Sequence, residues 1–254
     1  MADVLYGRNA VREALRARRR TLQRLLVSAG AQEAGTLGEV VKIAEQAGIP
    51  ISRVDRRELD RRLPGANHQG VALECGDYPY AELDEILALA EERGEPALLL
   101  LLDHLQDPQN VGTLLRTAEA VGAHGVVIPG RRAAEVTAAV VNASSGATEH
   151  LRIAVVTNLA QTIDQVQHAG IWVAGVEDDE RAQDYDAVDL DLPLALVVGA
   201  EGAGLARLTR DRCDFLVRLP MRGQIASLNA AVAGSIVLYH AWRARSEGPR
   251  PSEQ

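Results

Sequence analysis

From Pro96 onward, short uninterrupted apolar runs alternate with stretches of helical periodicity, and no other feature of the 254-residue chain constrains its fold as strongly. Residues 98–103, 125–128, 153–156, 171–176 and 194–198 read as strands, with helices predicted over 112–121, 133–141 and 159–168. A strand that is apolar along its whole length has to be covered on both faces. That is the condition of a parallel sheet with helices on either side, so the fold class is α/β. Ligands of such sheets bind at loops beyond the carboxyl ends of the strands. The loops after Asp103, Val198 and Arg218 are therefore where chemistry is expected.

The N-terminal third reads differently, as a small α/β module. Helical spacing over 9–15 and 37–47, a charged helix ending at Leu63, and short strands at 25–28, 51–54 and 70–74 are separated by turn residues such as Gly48, Pro50, Pro64 and Gly65. The segment 79–95 is polar and acidic with a helical centre over 83–90, and reads as a connector. The predicted organisation is thus a module over 1–78, a linker helix over 79–95, a second domain over 96–246 and a tail over 247–254.

Charge divides along the same line. The chain carries a net −8, but up to Tyr78 it has thirteen basic and ten acidic residues, against fourteen and twenty-five in the remainder. Arg16, Arg18, Arg19, Arg20 and Arg24, then Arg53, Arg56, Arg57, Arg61 and Arg62, form clusters that would suit a phosphate backbone or equally be solvated helix faces. The two cysteines, Cys75 and Cys213, have no Cys or His neighbours at metal-ligand spacing. With no export signal and no apolar run of membrane length, the expectation is a reduced cytoplasmic protein with no metal site and no membrane association.

Three loops hold the candidate residues. In D-P-Q-N-V-G-T-L-L-R (107–116), Asn110 is expected to cap the following helix and Gly112 to permit close approach, while Arg116 faces away from the stripe Leu114, Leu115, Ala118 and Val121. In G-A-E-G-A-G (199–204) the glycine spacing is not that of a dinucleotide fingerprint. Glu201 would repel a pyrophosphate by about 4 kcal/mol at an effective dielectric of 20, so the loop suits a ligand without phosphates. In L-P-M-R-G-Q-I-A-S-L-N-A (219–230), Ser227 is expected to cap a helix with Asn229 in its first turn. Each segment alone reads just as well as a tight turn or a helix start.

Taken together, Asn110, Gly112 and Arg116, then G-A-E-G, then L-P-M-x-G-x-x-x-S-L-N resemble the three ordered motifs of the SpoU/TrmH family of SPOUT RNA methyltransferases. The opening L-Y-G-R-N-A-V-R-E-A-L and the H-Q-G-V-A of residues 68–72 are similar to that family's N-terminal RNA-binding module, so the resemblance spans nearly the whole chain. It is strongest to members that modify a guanosine of bacterial 23S rRNA. The resemblance implies a parallel-sheet SPOUT domain with a C-terminal trefoil knot, preceded by the small α/β RNA-binding domain, and a homodimer. It also implies S-adenosyl-L-methionine as cofactor, bound by Gly199, Leu219 and Leu228, and 2′-O-ribose methylation of RNA as the reaction. Asn110, Arg116, Glu201, Ser227 and Asn229 are then the catalytic residues, Glu201 either holding Arg116 or accepting a proton. A guanidinium is not readily deprotonated, so Arg116 is expected to stabilise developing charge rather than act as a base. Transfer RNA is the competing substrate. A non-catalytic RNA-binding or ribosome-assembly factor is opposed by the intact set of polar residues, and a nucleotide-dependent dehydrogenase by Glu201 and the glycine spacing.

Overall fold

The computed structural model describes residues 3–130, 135–224 and 227–247. In chain order its strands are β1 (Asp3–Tyr6), β2 (Leu22–Ser28), β3 (Ile51–Val54), β4 (Val71–Cys75), β5 (Leu98–Asp103), β6 (Gly125–Pro129) and β7 (Ile153–Val156). Then follow β8 (Trp172–Val176), β9 (Gln183–Asp184), β10 (Leu194–Gly199) and β11 (Phe215–Arg218). The helices are α1 (Arg8–Ala17), α2 (Thr36–Gln46), α3 (Arg56–Arg62), α4 (Leu83–Arg93) and α5 (Pro108–Ala120). They continue with α6 (Ala138–Ala143), α7 (Leu159–His168), α8 (Arg207–Arg212) and α9 (Ala230–Glu247), and a 3₁₀ turn covers Ala147–His150. The start of the helix predicted over 133–141 lies outside the described residues.

The chain divides into two compact units, one of Met1–Pro79 with Val136–His150, the other of Tyr80–Glu135 with Leu151–Gln254. The first has a four-stranded sheet in the order β1-β4-β2-β3, antiparallel except for the β2–β3 pair. Helix α1 buries Ala10, Val11, Ala14 and Leu15 on one face and packs against α2. Strand β1 was not foreseen; with four residues it exists through its pairing to β4. Residues 136–150, which sequence pattern placed in the second domain, pack instead with the N-terminal module. Asn142 Nδ2 donates to the carbonyl of Tyr6 at 3.0 Å, and Glu149 pairs with Arg20 at 3.0 Å, both side chains fully buried. Asp3 approaches the same guanidinium at 3.1 Å, and Tyr78 places its ring 5.0 Å from it. Burial works against the charged Arg20, yet the hydrogen bonds and charge of Glu149 hold its pKa above the ordinary value.

The second unit is built on the expected parallel sheet, seven strands in the order β7-β6-β5-β10-β8-β11-β9. Strands β5 and β10 lie at its centre, in register from Leu98 opposite Leu194 to Asp103 opposite Gly199. Leu98 to Leu102 are all 2% exposed or less, so each contributes roughly the 1.5–3 kcal/mol of a fully buried aliphatic side chain. Helix α4, read as a connector, adds Ile86 and Ala90 to this core. The chain runs outward from β5 through β6 to β7, then returns to the other side of β5. The loops after β5 and β10 therefore open at a topological switch point.

Two helix starts differ from expectation. Asp107, not Asn110, caps α5, accepting the N–H groups of Gln109 and Asn110 at 3.3 and 3.1 Å, with Pro108 at the first helical position. That cap and the following proline move the helix start four residues upstream of the predicted one. Asn229, not Ser227, caps α9. From β11 the chain returns so that α9 packs against α5 and β10. Gly234 makes that approach feasible, since a Cβ there would lie 2.7 Å from Val198 Cγ2 and 2.8 Å from Leu114 Cδ2.

Candidate active site

The second and third loops meet beyond the carboxyl end of β10 and enclose a cavity of about 540 Å³. Of the residues singled out in the sequence, Gly199, Glu201, Leu219, Ser227, Leu228 and Asn229 line it. Gly199 is required by close packing: a Cβ there would collide with the backbone of Gly204, because the loop folds back on itself. Two reciprocal bonds close that fold, Ala200 N–H to the Gly204 carbonyl at 3.2 Å and Gly204 N–H to the Ala200 carbonyl at 2.9 Å.

Asn229 joins all three loops. Its Oδ1 accepts the N–H groups of Ala231 and Val232 at 2.9 and 3.1 Å, which fixes the amide the right way round, because a flipped NH₂ would face two donors. Its Nδ2 therefore points away from the helix, donating to Asn110 Oδ1 at 2.9 Å and to Glu201 Oε1. The expected helix-capping role of Ser227 is taken by Asn229; Ser227 is exposed on the cavity wall. Glu201 meets Asn229. Arg116 stands on the exposed face of α5, six residues or roughly 9 Å along the axis from Asn110, and is not part of the cavity lining.

Two carboxylates at strand ends escaped the sequence reading. Asp103, at the end of β5 and 1% exposed, accepts the N–H of Ala206 at 2.7 Å and the Nδ1–H of His104. Glu177, just after β8, accepts the N–H of Leu205 at 2.7 Å and lines the cavity. The strand-end rule that pointed to three loops applies to β8 too, and would have found Glu177.

The cavity is acidic. Glu177, Asp178 and Glu201 line it, and the cation among its lining residues, Arg218, bonds Asp184 at 2.9 Å. That hydrogen bond and the charge of Asp184 raise the Arg218 pKa above its ordinary value. Apolar contact comes from Leu219, Met221 and Leu228. Such a lining favours a ligand with positive charge and no phosphate. Among the described residues no group of three or more His, Cys, Asp or Glu side chains is placed to hold a metal ion, and no helix is long and apolar enough to cross a membrane.

Comparison with known families decides the relationship. The SpoU rRNA Methylase family matches residues 97–239, and the RNA 2′-O ribose methyltransferase substrate binding family matches residues 4–81. The chain belongs to the SpoU/TrmH family of RNA methyltransferases. YacO of Bacillus subtilis, a protein named for the TrmH family of tRNA/rRNA methyltransferases, is 45% identical over 244 residues, 96% of each chain. Among solved structures, the SpoU methyltransferase AviRb of Streptomyces viridochromogenes in complex with AdoMet superposes with a TM-score of 0.79 at 27% identity, covering 96% of this chain and 91% of AviRb. An AdoMet-bound rRNA methyltransferase of Sinorhizobium meliloti gives 0.75 at 25% identity, covering 95% and 87%. The seven-stranded unit is thus the SPOUT methyltransferase domain, and the N-terminal sheet is the SpoU substrate-binding module.

Proposed function

We infer that this protein transfers the methyl group of S-adenosyl-L-methionine to a ribose 2′-hydroxyl in RNA, with a guanosine of 23S rRNA as the target. One observation carries the reading: Asn110, Glu201 and Asn229, from three distant motifs, form one hydrogen-bonded cluster at the rim of an acidic, phosphate-averse cavity. The cavity fits the donor. Its volume lies in the ordinary range for small-molecule sites. Its carboxylates complement a sulfonium and an ammonium, and Gly199, Leu219 and Leu228 offer backbone and apolar walls for the adenine and the methionine chain. The donor supplies a methyl carbon made electrophilic by the attached sulfonium.

The protein's own groups then have separate tasks. Asn110, with its oxygen engaged by Asn229, presents its amide Nδ2 as a donor that orients the ribose; Ser227 lies on the same wall. Glu201 accepts the hydroxyl proton, directly or through a water, as the new oxygen–carbon bond forms. Arg116 binds the neighbouring phosphate and offsets charge developing on the oxygen. We read the return of α9 across β10 as the family's trefoil knot.

A second copy docks on α9 in this proposal, where Val232, Ile236, Tyr239 and Trp242 are exposed apolar side chains on one helix. Helix α5, adjacent to α9, then carries Arg116 toward that interface, which accounts for its standing outside the lining of its own cavity. The substrate-binding module meets RNA phosphates. Arg24, Arg53 and Arg62 are committed to Glu74, Glu33 and Glu58. Arg56, Arg57 and Arg61, exposed and without an ion pair among the described residues, are the contacts in this proposal. The protein works in the cytoplasm in this reading, with no membrane partner.

The test is transfer of labelled methyl groups to unmodified 23S rRNA and, separately, to tRNA, with calorimetry for the donor. Transfer to 23S rRNA at a single ribose is expected. Arg116→Ala should cut transfer by about 10²–10³-fold, the usual loss of an oxyanion-stabilising group, with donor affinity kept. No heat with the donor ends the proposal; transfer to tRNA alone replaces the substrate; normal turnover by the variant removes Arg116 from its role.

A further inference from the structure

Neither Asp103 nor Glu177 has a part in the transfer step itself, and the two flank β10 from opposite sides. Asp103 ends β5 and Glu177 follows β8; these are the two strands hydrogen-bonded to β10. They accept consecutive backbone N–H groups, Glu177 that of Leu205 and Asp103 that of Ala206, each at 2.7 Å. Leu205 and Ala206 are where the chain leaves the loop that carries Gly199 and Glu201. Because Ala200 and Gly204 are bonded to each other in both directions, whatever fixes residues 205 and 206 fixes the whole loop.

A peptide N–H needs only a neutral acceptor, and burying a carboxylate is costly unless it is compensated. Asp103 is nonetheless 1% exposed, and among the described residues its other partner is His104, not an arginine. What a carboxylate offers over a neutral acceptor is a shorter, stronger bond of defined direction. Loops at ligand sites are drawn from the least stable parts of a fold, and holding one to within a fraction of an ångström calls for such bonds. We propose that Asp103 and Glu177 are positioning residues for methyl transfer, a two-sided clamp on the Leu205 and Ala206 amides that sets Glu201 against Asn229. The proposal rests on the methyltransferase reading for its catalytic consequence, but the clamp itself is observable without it.

Amide hydrogen exchange of the full-length protein, without donor or RNA, reads the clamp directly. Asp103→Ala should speed exchange at Leu205 and Ala206 by at least about tenfold, the equivalent of about 1.4 kcal/mol, and leave the central amides of β5 and β10 unchanged. In the transfer assay the same variant should raise the donor dissociation constant and lower turnover at saturating donor and RNA, each by a similar factor. Asp103→Asn keeps an oxygen for Ala206 and should restore all of these to within about threefold of the parent, by retaining the bond at lower strength. A folded Asp103→Ala protein with parental exchange and turnover overturns the proposal, as does an Asp103→Asn protein as impaired as the alanine variant. If Asp103→Ala does not fold, Glu177→Ala replaces it. That variant removes the acceptor of the Leu205 N–H, so unchanged exchange at Leu205 in it also overturns the clamp. A parent protein that transfers no methyl group sinks the functional reading alone, since the exchange result stands apart from it.

Discussion

Glu149 and Asp103 are both buried carboxylates, but they keep opposite company. Glu149, in the N-terminal unit, is neutralised by the guanidinium of Arg20, which Asp3 and the Tyr78 ring also approach. Asp103, in the methyltransferase unit, faces a peptide N–H and an imidazole at the end of a leucine strand. The first arrangement stabilises: it ties a distant segment, residues 136–150, to the substrate-binding module. The second orients: it leaves charge where a loop has to be held still. Burial alone does not separate the two roles, and the identity of the partner does.

The largest effect should come from breaking the first pair. Glu149→Ala leaves the Arg20 guanidinium buried without its main counter-charge, and is expected to destabilise the N-terminal unit by about 3–5 kcal/mol, seen as a lower thermal midpoint. Donor affinity, a property of the other unit, should hold in the folded protein; a parallel loss of donor binding would break the contrast. Asn229→Ala comes next. Losing the α9 cap should cost about 1 kcal/mol of stability, while the release of Asn110 and Glu201 lowers turnover well beyond what that figure accounts for. A turnover loss no larger than the stability loss would mean that Asn229 serves the helix and not the chemistry.

The smallest effect is a titration. Burial opposes ionisation of Glu13, but hydrogen bonds with Arg12 and His150 and the charge of Arg16 outweigh it and hold its pKa below the ordinary 4.5. A carboxyl depressed in the folded state stabilises fully above the unfolded value, and that contribution is lost as pH falls from 4.5 through the folded value. Thermal melts should therefore decline across that acid range, and Glu13→Gln should flatten part of the decline. An unchanged slope would show that Glu13 adds nothing to the electrostatics of its unit.

How much was legible follows from which forces are local. Strand β7 and helix α7 stand where the sequence put them, since an apolar run and a 3.6-residue stripe are written in neighbouring residues. Helix α5 began early because Asp107 followed by Pro108 is a stronger start than Asn110, a local signal that the motif obscured. Strands β1 and β9 carry too few residues to show a pattern and depend on their partners. The Arg20–Glu149 pair spans 129 positions, and no window of sequence contains both. In the candidate site, Asn110, Glu201 and Asn229 were legible as motif letters, while their mutual hydrogen bonds were not. Asp103 reads simply as the polar end of an apolar strand, and Glu177 as one more residue of the acidic stretch that follows Val176.

The double duty of Asn229 has a consequence for biosynthesis. Its oxygen starts α9 and its nitrogen gathers the side chains of the two other loops, so that gathering waits on the synthesis of Asn229. Because chains emerge from the ribosome N-terminus first, the module that meets RNA is complete while the catalytic centre is still unassembled. On the proposed reading of the site, a product stopped short of Asn229 keeps the substrate-binding module and lacks the hydrogen bonds that gather the other two loops.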